Sequence, residues 1–255
     1  MSKEAEKQPG ERIAKRLSRA GVCSRREAER WIAEGRIMVD GEKISAPGTL
    51  VTDESDIRVN GKPVAEPQAT RMWRYHKPAA LICSNNDPQG RPTIFERLPR
   101  HLPRMMSVGR LDFDSEGLLL LTNDGGVSRK LELPETGWQR RYRVRMFGKP
   151  TEENIAALAK GITVDGMKYG EIEAVIDSSK GRNTWMTVSL REGKNREIRK
   201  ALDHLGYPVS RLIRIAYGPF QLGDLARGGV EEVPRRILKD QLGIKDSHAH
   251  RGRQA

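Results

Sequence analysis

The chain has 255 residues, enough for one large core or for a small and a larger domain. Its 46 Lys and Arg outnumber 34 Asp and Glu, and the resulting formal net charge of +12 attracts polyanions such as nucleic acid. No run approaches the roughly 20 apolar residues of a membrane span, and Cys23 and Cys83 form neither a CxxC pair nor a Cys/His cluster, which leaves no disulfide framework and no zinc site to expect.

Residues 1–10, charged from the start, read as a flexible N-terminus. From Glu11 to Arg36 the segment ERIAKRLSRAGVCSRREAERWIAEGR carries eight Arg and Lys against four Glu. Ile13, Leu17 and Ala20 recur at helical spacing, and Gly21 stops that helix. Ser24 with Glu27 is a capping-box pattern; Ala28, Trp31 and Ile32 form the buried stripe of a second helix, which Gly35 closes. Asp40-Gly41 in RIMVDGEKI and Asn60-Gly61 in DIRVNGKPV mark two tight hairpins. Arg25 and Arg26 fall in the first turn of the second helix, where the macrodipole disfavours cations by some tenths of a kcal/mol. Either alone reads equally well as a solvated surface residue. Grouped with Lys15, Arg19 and Arg30, they form a candidate phosphate-binding face. The stretch RLSRAGVCSRREAERWIAEGRIMVDGEKI resembles the S4 RNA-binding module, here two helices plus hairpins over residues 11–64. Residues 65–70, AEPQAT, read as a linker.

Residues 71–240 read as a second, α+β domain around a largely antiparallel mixed sheet flanked by helices. RMWRYHKPAALICS, YRVRMF, EIEAVI, NTWMTVSL and PVSRLIRIAY are strand-like, and TEENIAALAKG and GKNREIRKALDHLG are helical. In the latter Ile198, Ala201, Leu202 and Leu205 face inward, which leaves Arg196, Arg199 and Asp203 on another face. Residues 241–255, with His248 and His250, read as a basic flexible tail.

The stretch GRLDFDSEGLLLLTNDG, residues 109–125, places Asp112, Asp114 and Glu116 directly before four leucines. D-x-D-x-E-G copies the opening of a calcium loop, but leucines and Asn123 occupy the later ligand positions, so no calcium site is expected. For Asp114 and Glu116 the preferred account is a turn in which the acids bond local amides. For Asp112 that account is incomplete. The adjoining arginine and dry strand set burial, which raises a carboxyl pKa, against a cation that favours ionisation, the balance a nucleophilic carboxylate needs.

That string is similar to the signature of bacterial ribosomal RNA pseudouridine synthases of the small-subunit-A and large-subunit-B group. KPAALICSNNDPQGRPTIFERLP, RRYRVRMFG, LREGKNREIRKALDHLGYPVSRLIRI and YGPFQL follow in the order that family shows, and NDPQGRPTIFERLP most resembles the large-subunit-B branch. The resemblance implies a cofactor-free, metal-free isomerase that breaks the uracil N1–C1′ bond, turns the base and rejoins it through C5, acting on a uridine extruded from its stack. It implies Asp112 as nucleophile on the sugar or the ring, Arg199 paired with Asp112, Tyr142 packed on the flipped uracil, and Arg110 filling the gap or holding the phosphate. The implied partner is ribosomal RNA, 23S by branch or else 16S, met by a cytoplasmic monomer with no membrane contact. Two other functions stay open: a non-catalytic RNA-binding ribosome-assembly factor, and a hydrolase pairing Asp112 with His76 or His204.

Overall fold

The computed structural model describes residues 10–244. By their contacts these residues divide between positions 70 and 71 into two units. The reading of residues 1–9 and 245–255, with both tail histidines, lies outside the described residues.

In the first unit, Ile13, Ala14 and Leu17 bury one face of helix α1 (Ile13–Arg19) against α2 (Arg25–Ala33). The Ser24 hydroxyl accepts from the Glu27 amide at 3.1 Å and the Glu27 carboxylate accepts from the Ser24 amide at 3.4 Å, so the capping box closes the start of α2. Strands β2 (Ile37–Val39) with β3 (Glu42–Lys43) and β5 (Ile57–Val59) with β6 (Lys62–Pro63) are the two expected hairpins, joined in the order β3-β2-β5-β6. Asp40, Gly41, Asn60 and Gly61 all take positive φ, as tight two-residue turns require. Strands β1 (Glu11–Arg12) and β4 (Leu50–Val51) pair across the start of α1. Ile13, Leu17, Cys23, Ala28, Ile32, Ile37 and Ile57 meet in one small core.

The second unit is built on a mixed sheet. Its main path, edge to edge, is β13 (Glu173–Lys180), β14 (Asn183–Leu190), β10 (Arg140–Phe147), β15 (Val209–Tyr217), β9 (Glu116–Thr122), β7 (Met72–Lys77) and β17 (Val230–Glu232); β8 (Met106–Val108) adds to β9 and β16 (Phe220–Gln221) to β15. Every pairing is antiparallel except β9 with β15, which meet in parallel at Glu116–Gly117 and Ile213–Arg214. A two-residue pair, β11 (Thr163–Val164) and β12 (Met167–Lys168), lies off the sheet.

Strand β9 shows why the sequence needs four leucines in a row. Leu119 and Leu121 enter one core with residues of α5 (Glu152–Ala159) and α6 (Glu197–His204). Leu118 and Leu120 enter a second core with residues of α4 (Gly125–Glu132) and α7 (Arg235–Leu242). A strand covered on both faces carries apolar side chains at every position. Gly117 has a separate cause. Its φ is +103°, and a Cβ there would fall 2.7 Å from the Arg214 amide nitrogen and closer still to the Arg214 carbonyl oxygen. Only glycine lets β15 approach.

Three expectations need correction. The strand-like run from Arg71 does not continue to Ser84: β7 ends at Lys77, since Pro78 has no amide to donate to a ladder and Ala80 turns the chain with φ +64°. Two or three helices are expected in this unit, and α3 (Ile94–Arg97), α4 and α7 bring the α-helices among its described residues to five. The last of these runs to Leu242, whose side chain is buried, so the unit continues past residue 240.

Candidate active site

The loop between β8 and β9 carries Arg110 to Ser115, and its backbone is held from beneath by one side chain. Lys77, fully buried, donates from Nζ to the carbonyls of Pro78 at 3.0 Å, Asp112 at 3.1 Å and Ser115 at 2.8 Å. An ammonium has three protons to give, and here each has an acceptor. Burial pulls the Lys77 pKa down, opposed by the charges of Cys83, Asp112, Asp114 and Glu116. The Ser115 amide closes a turn on the Asp112 carbonyl at 3.1 Å, and the Ala80 amide reaches the Phe113 carbonyl at 2.7 Å. Sequence reading passed over Lys77 as part of a plain strand end; the one available signal was a lysine in an otherwise apolar alternation.

The three acids then meet arginines from distant segments rather than local amides, which corrects the turn account of Asp114 and Glu116. Asp114 takes Arg196 at 3.0 and 3.3 Å and lies 3.4 Å from Arg199 Nη2. Glu116, buried, takes Arg211 at 2.8 and 3.2 Å and Arg227 at 2.8 Å. Asp112 stands with its side chain 31 % exposed, 3.8 Å from Arg196 Nη1.

Arg199, the partner expected for Asp112, is instead nearly buried. It donates to the carbonyls of Val209 at 3.0 Å and Asp114 at 3.1 Å, and it touches Asp112 through charge alone. The difference arises at the start of α6. Arg196 takes the left-handed conformation, φ +51°, in a turn fixed by the Lys194 amide on the Glu197 carboxylate at 3.0 Å, and so reaches the loop ahead of the helix. Burial lowers the pKa of Arg199.

These ion pairs set an acid dependence. Burial pushes the Asp114 carboxyl up, but the hydrogen bond from Arg196 and the charges of Arg199 and Arg196 leave it below its ordinary 3.8; the Arg211 hydrogen bond outweighs burial to hold Glu116 below 4.5. A carboxyl depressed in the folded state contributes stability above its unfolded pKa and loses it as pH falls through the folded value. Thermal midpoints followed by circular dichroism should therefore fall on acidification below about pH 5. Asp114→Asn combined with Glu116→Gln should flatten that fall; an unaltered slope would remove these two groups as its source.

The loop opens on a cleft of about 830 Å³. Arg110, Asp112, Ser115, Tyr142, Arg196 and Arg214 are among the residues lining it. Tyr142 is 8 % exposed on β10, and its hydroxyl makes no hydrogen bond among the described residues. Arg110 is exposed at the rim, and Phe113, 42 % exposed, follows the acid. The structure thus brings Asp112, Tyr142 and Arg110 to one cavity and sets Arg199 behind it, bracing Asp114. Neither His76 nor His204 lines the cleft: His76 Nδ1 lies 2.7 Å from the Leu225 carbonyl and His204 is exposed on α6. The hydrolase pairing has no geometry.

The five basic residues singled out in the first unit divide in two. Lys15 and Arg19 pair with Glu11 at 3.4 and 3.1 Å, and Arg30 with Glu34 at 3.6 Å and Glu27 at 3.8 Å. Arg25 and Arg26 are exposed and make no ion pair among the described residues.

A model of the RNA pseudouridylate synthase family matches residues 71–204, and a model of the S4 domain matches residues 11–57. The chain is 43 % identical over 229 residues to an uncharacterized RNA pseudouridine synthase of Rickettsia felis, covering 90 % of this chain and 99 % of that one. It is 40 % identical over 247 residues to the ribosomal large subunit pseudouridine synthase B of Pseudomonas aeruginosa, covering 92 % of this chain and 64 % of that one. Among solved structures, a crystal structure of a pseudouridylate synthase superposes with a TM-score of 0.63 at 24 % identity, over 89 % of this chain and 98 % of that one, and shares the fold. The chain belongs to the RNA pseudouridine synthases and is an isomerase of uridine in RNA, with an S4 domain ahead of the catalytic domain.

Proposed function

We propose that this enzyme converts a specific uridine of 23S ribosomal RNA to pseudouridine, with Asp112 as its nucleophile. The observation that carries the reading is the placement of the Asp112 carboxylate, one-third exposed, on a cleft shared with Tyr142 and 3.8 Å from a guanidinium. A carboxylate kept open on a cavity and beside a cation is accessible to a bound nucleotide. Tyr142 offers a ring for the extruded uracil to pack on and a hydroxyl within the same cavity. Arg199 and Lys77 act on the loop rather than on the base: one braces Asp114, the other the backbone carbonyls of Asp112 and Ser115. Arg110 and Arg196, both exposed, are placed to meet phosphates at the rim.

Support for the large-subunit substrate is the NDPQGRPTIFERLP segment and the relatives named for that subunit. The reading takes the enzyme as a monomer that meets ribosomal RNA in the bacterial cytoplasm. The domain reading is an S4 module at 11–64 that grips RNA, a linker at 65–70, and a catalytic domain from 71.

The test uses ribosomal RNA tritiated at uridine C5. C5 must lose its hydrogen when it becomes the glycosidic carbon, so the native chain releases label to water, whereas a factor that only binds RNA releases none. Release from 16S RNA and not from 23S would overturn the substrate assignment.

The S4 unit makes a separate prediction. Replacing Arg25 and Arg26 with alanine should weaken RNA binding and lower the slope of log K against log salt by about one to two, as the loss of two phosphate contacts requires. The single-turnover rate at saturating RNA should stay near native. A slope unchanged in filter-binding titrations would remove these residues from the interface.

A further inference from the structure

Arg214 is a buried cation that the proposed reaction, as set out above, leaves without a task. It is 3 % exposed and stands on β15 in register with Tyr142 on β10, so both side chains project from one face of the sheet. Both line the cleft that Asp112 lines. Its Nε donates to the Leu118 carbonyl at 2.7 Å, and its guanidinium lies 5.2 Å from the centre of the Tyr217 ring. Of its five N–H donors, one is used. Nη2 is buried with no hydrogen-bond partner, and no carboxylate forms an ion pair with Arg214 among the described residues. The other buried arginines differ: Arg16 has Asp53 and Arg199 has Asp114. Ser115, whose Oγ is also buried without a partner, is another residue lining this cavity. Buried donors left unpaired beside a cleft are a cost that a bound group can remove by reaching them.

These unmet donors lie deep, whereas phosphates stay on the strand outside. Exposed Arg110, Arg191 and Lys194 line the cleft too and suit phosphates; Arg214 is buried beside Tyr142, the ring on which the extruded base is proposed to pack.

We infer that Arg214 holds the uracil ring while it carries negative charge, donating from its free N–H groups to an exocyclic oxygen of the base. The inference rests on the reading that Asp112 drives isomerisation, and it is common to both routes open to that carboxylate. In attack on C1′, an ester forms and the C1′–N1 pair departs with the ring, spreading over N1, O2 and O4. In addition to C6, the C5=C6 pair moves toward C5 and O4. Either way the ring is an anion until C5 bonds to C1′, the carboxylate leaves with its own pair, C5 gives up its proton and N1 gains one. No atom is added overall. A preorganised donor aimed at charge that develops only during reaction speeds the step without tightening ground-state binding.

Single-turnover tritium release at saturating RNA, beside equilibrium RNA binding, tests this. Arg214→Gln should lose about 100-fold or more in rate, the scale of a lost oxyanion donor, with affinity within about three-fold of native. Arg214→Lys restores a cation, so it should keep its rate within about ten-fold near neutrality. Burial lowers a lysine pKa, so that variant's rate should then fall as pH rises, where the native rate does not. A Gln variant as fast as native, or one losing affinity as much as rate, would overturn the role. Should Arg214→Gln fail to fold, judged by thermal unfolding, the Lys variant decides: a pH profile matching the native one overturns it. Absence of release by the native chain would instead sink the underlying reaction.

Discussion

Asp112→Asn is expected to abolish isomerisation while RNA stays bound. The substitution keeps the size and shape of the side chain and removes the negative oxygen that, in the proposed reaction, forms a bond to sugar or ring. The loop should not move, because Lys77 and the Ser115 amide bind the carbonyl of residue 112 rather than its carboxylate. Asp114 keeps Arg196 and Arg199 in place. Removing a nucleophile that acts in concert with its surroundings costs about 10⁴-fold or more in rate. Tritium release in a single turnover should therefore be undetectable, with RNA affinity in filter binding within a few-fold of native. Release at the native rate would remove Asp112 from the chemistry.

Lys77→Met should be the most damaging change away from the reacting atoms. Methionine fills much of the space but donates nothing, so the carbonyls of Pro78, Asp112 and Ser115 lose their shared donor inside a dry region. Stranding buried acceptors of this kind costs about 3 kcal/mol or more, which for a unit this large lowers the thermal midpoint by about 10 °C. The rate should fall as well at temperatures where the variant is folded, since Asp112 and Ser115 lose the post that spaces them. A variant with native midpoint and native rate would show that water replaces the ammonium at no cost.

Local features of the fold were legible. The turns at Asp40-Gly41 and Asn60-Gly61, the Ser24 cap and the inward face of α6 each depend on residues a few positions apart, and each forms as spacing dictates. Helix α4 escaped notice because it begins Gly125-Gly126, two poor helix formers; its amphipathic face gains from burying Leu131 against the far side of the sheet. Helix α7 offers few apolar residues, and Leu238 and Leu242 count only once a surface exists to receive them. The acidic motif marks the loop that opens on the cleft, but its partners did not follow from spacing. Asp114 meets Arg196 and Arg199 across 82 and 85 positions, and which arginine faces Asp112 turns on a single left-handed residue. Long-range pairing of that kind is a property of the assembled sheet. The open donors of Arg214 are likewise invisible in a strand that reads RLIRI.

The seam at Gly117 also has a consequence in time. Two residues of β9 and two of β15, some hundred positions apart in the chain, form the only parallel junction in the sheet among the described residues. During synthesis the acidic loop leaves the ribosome long before Arg196, Arg199 or Arg214 exists to meet it. An unfinished copy thus holds the acidic loop without the later residues that wall the cleft, so the cavity is completed at a late docking event rather than growing as the polypeptide lengthens.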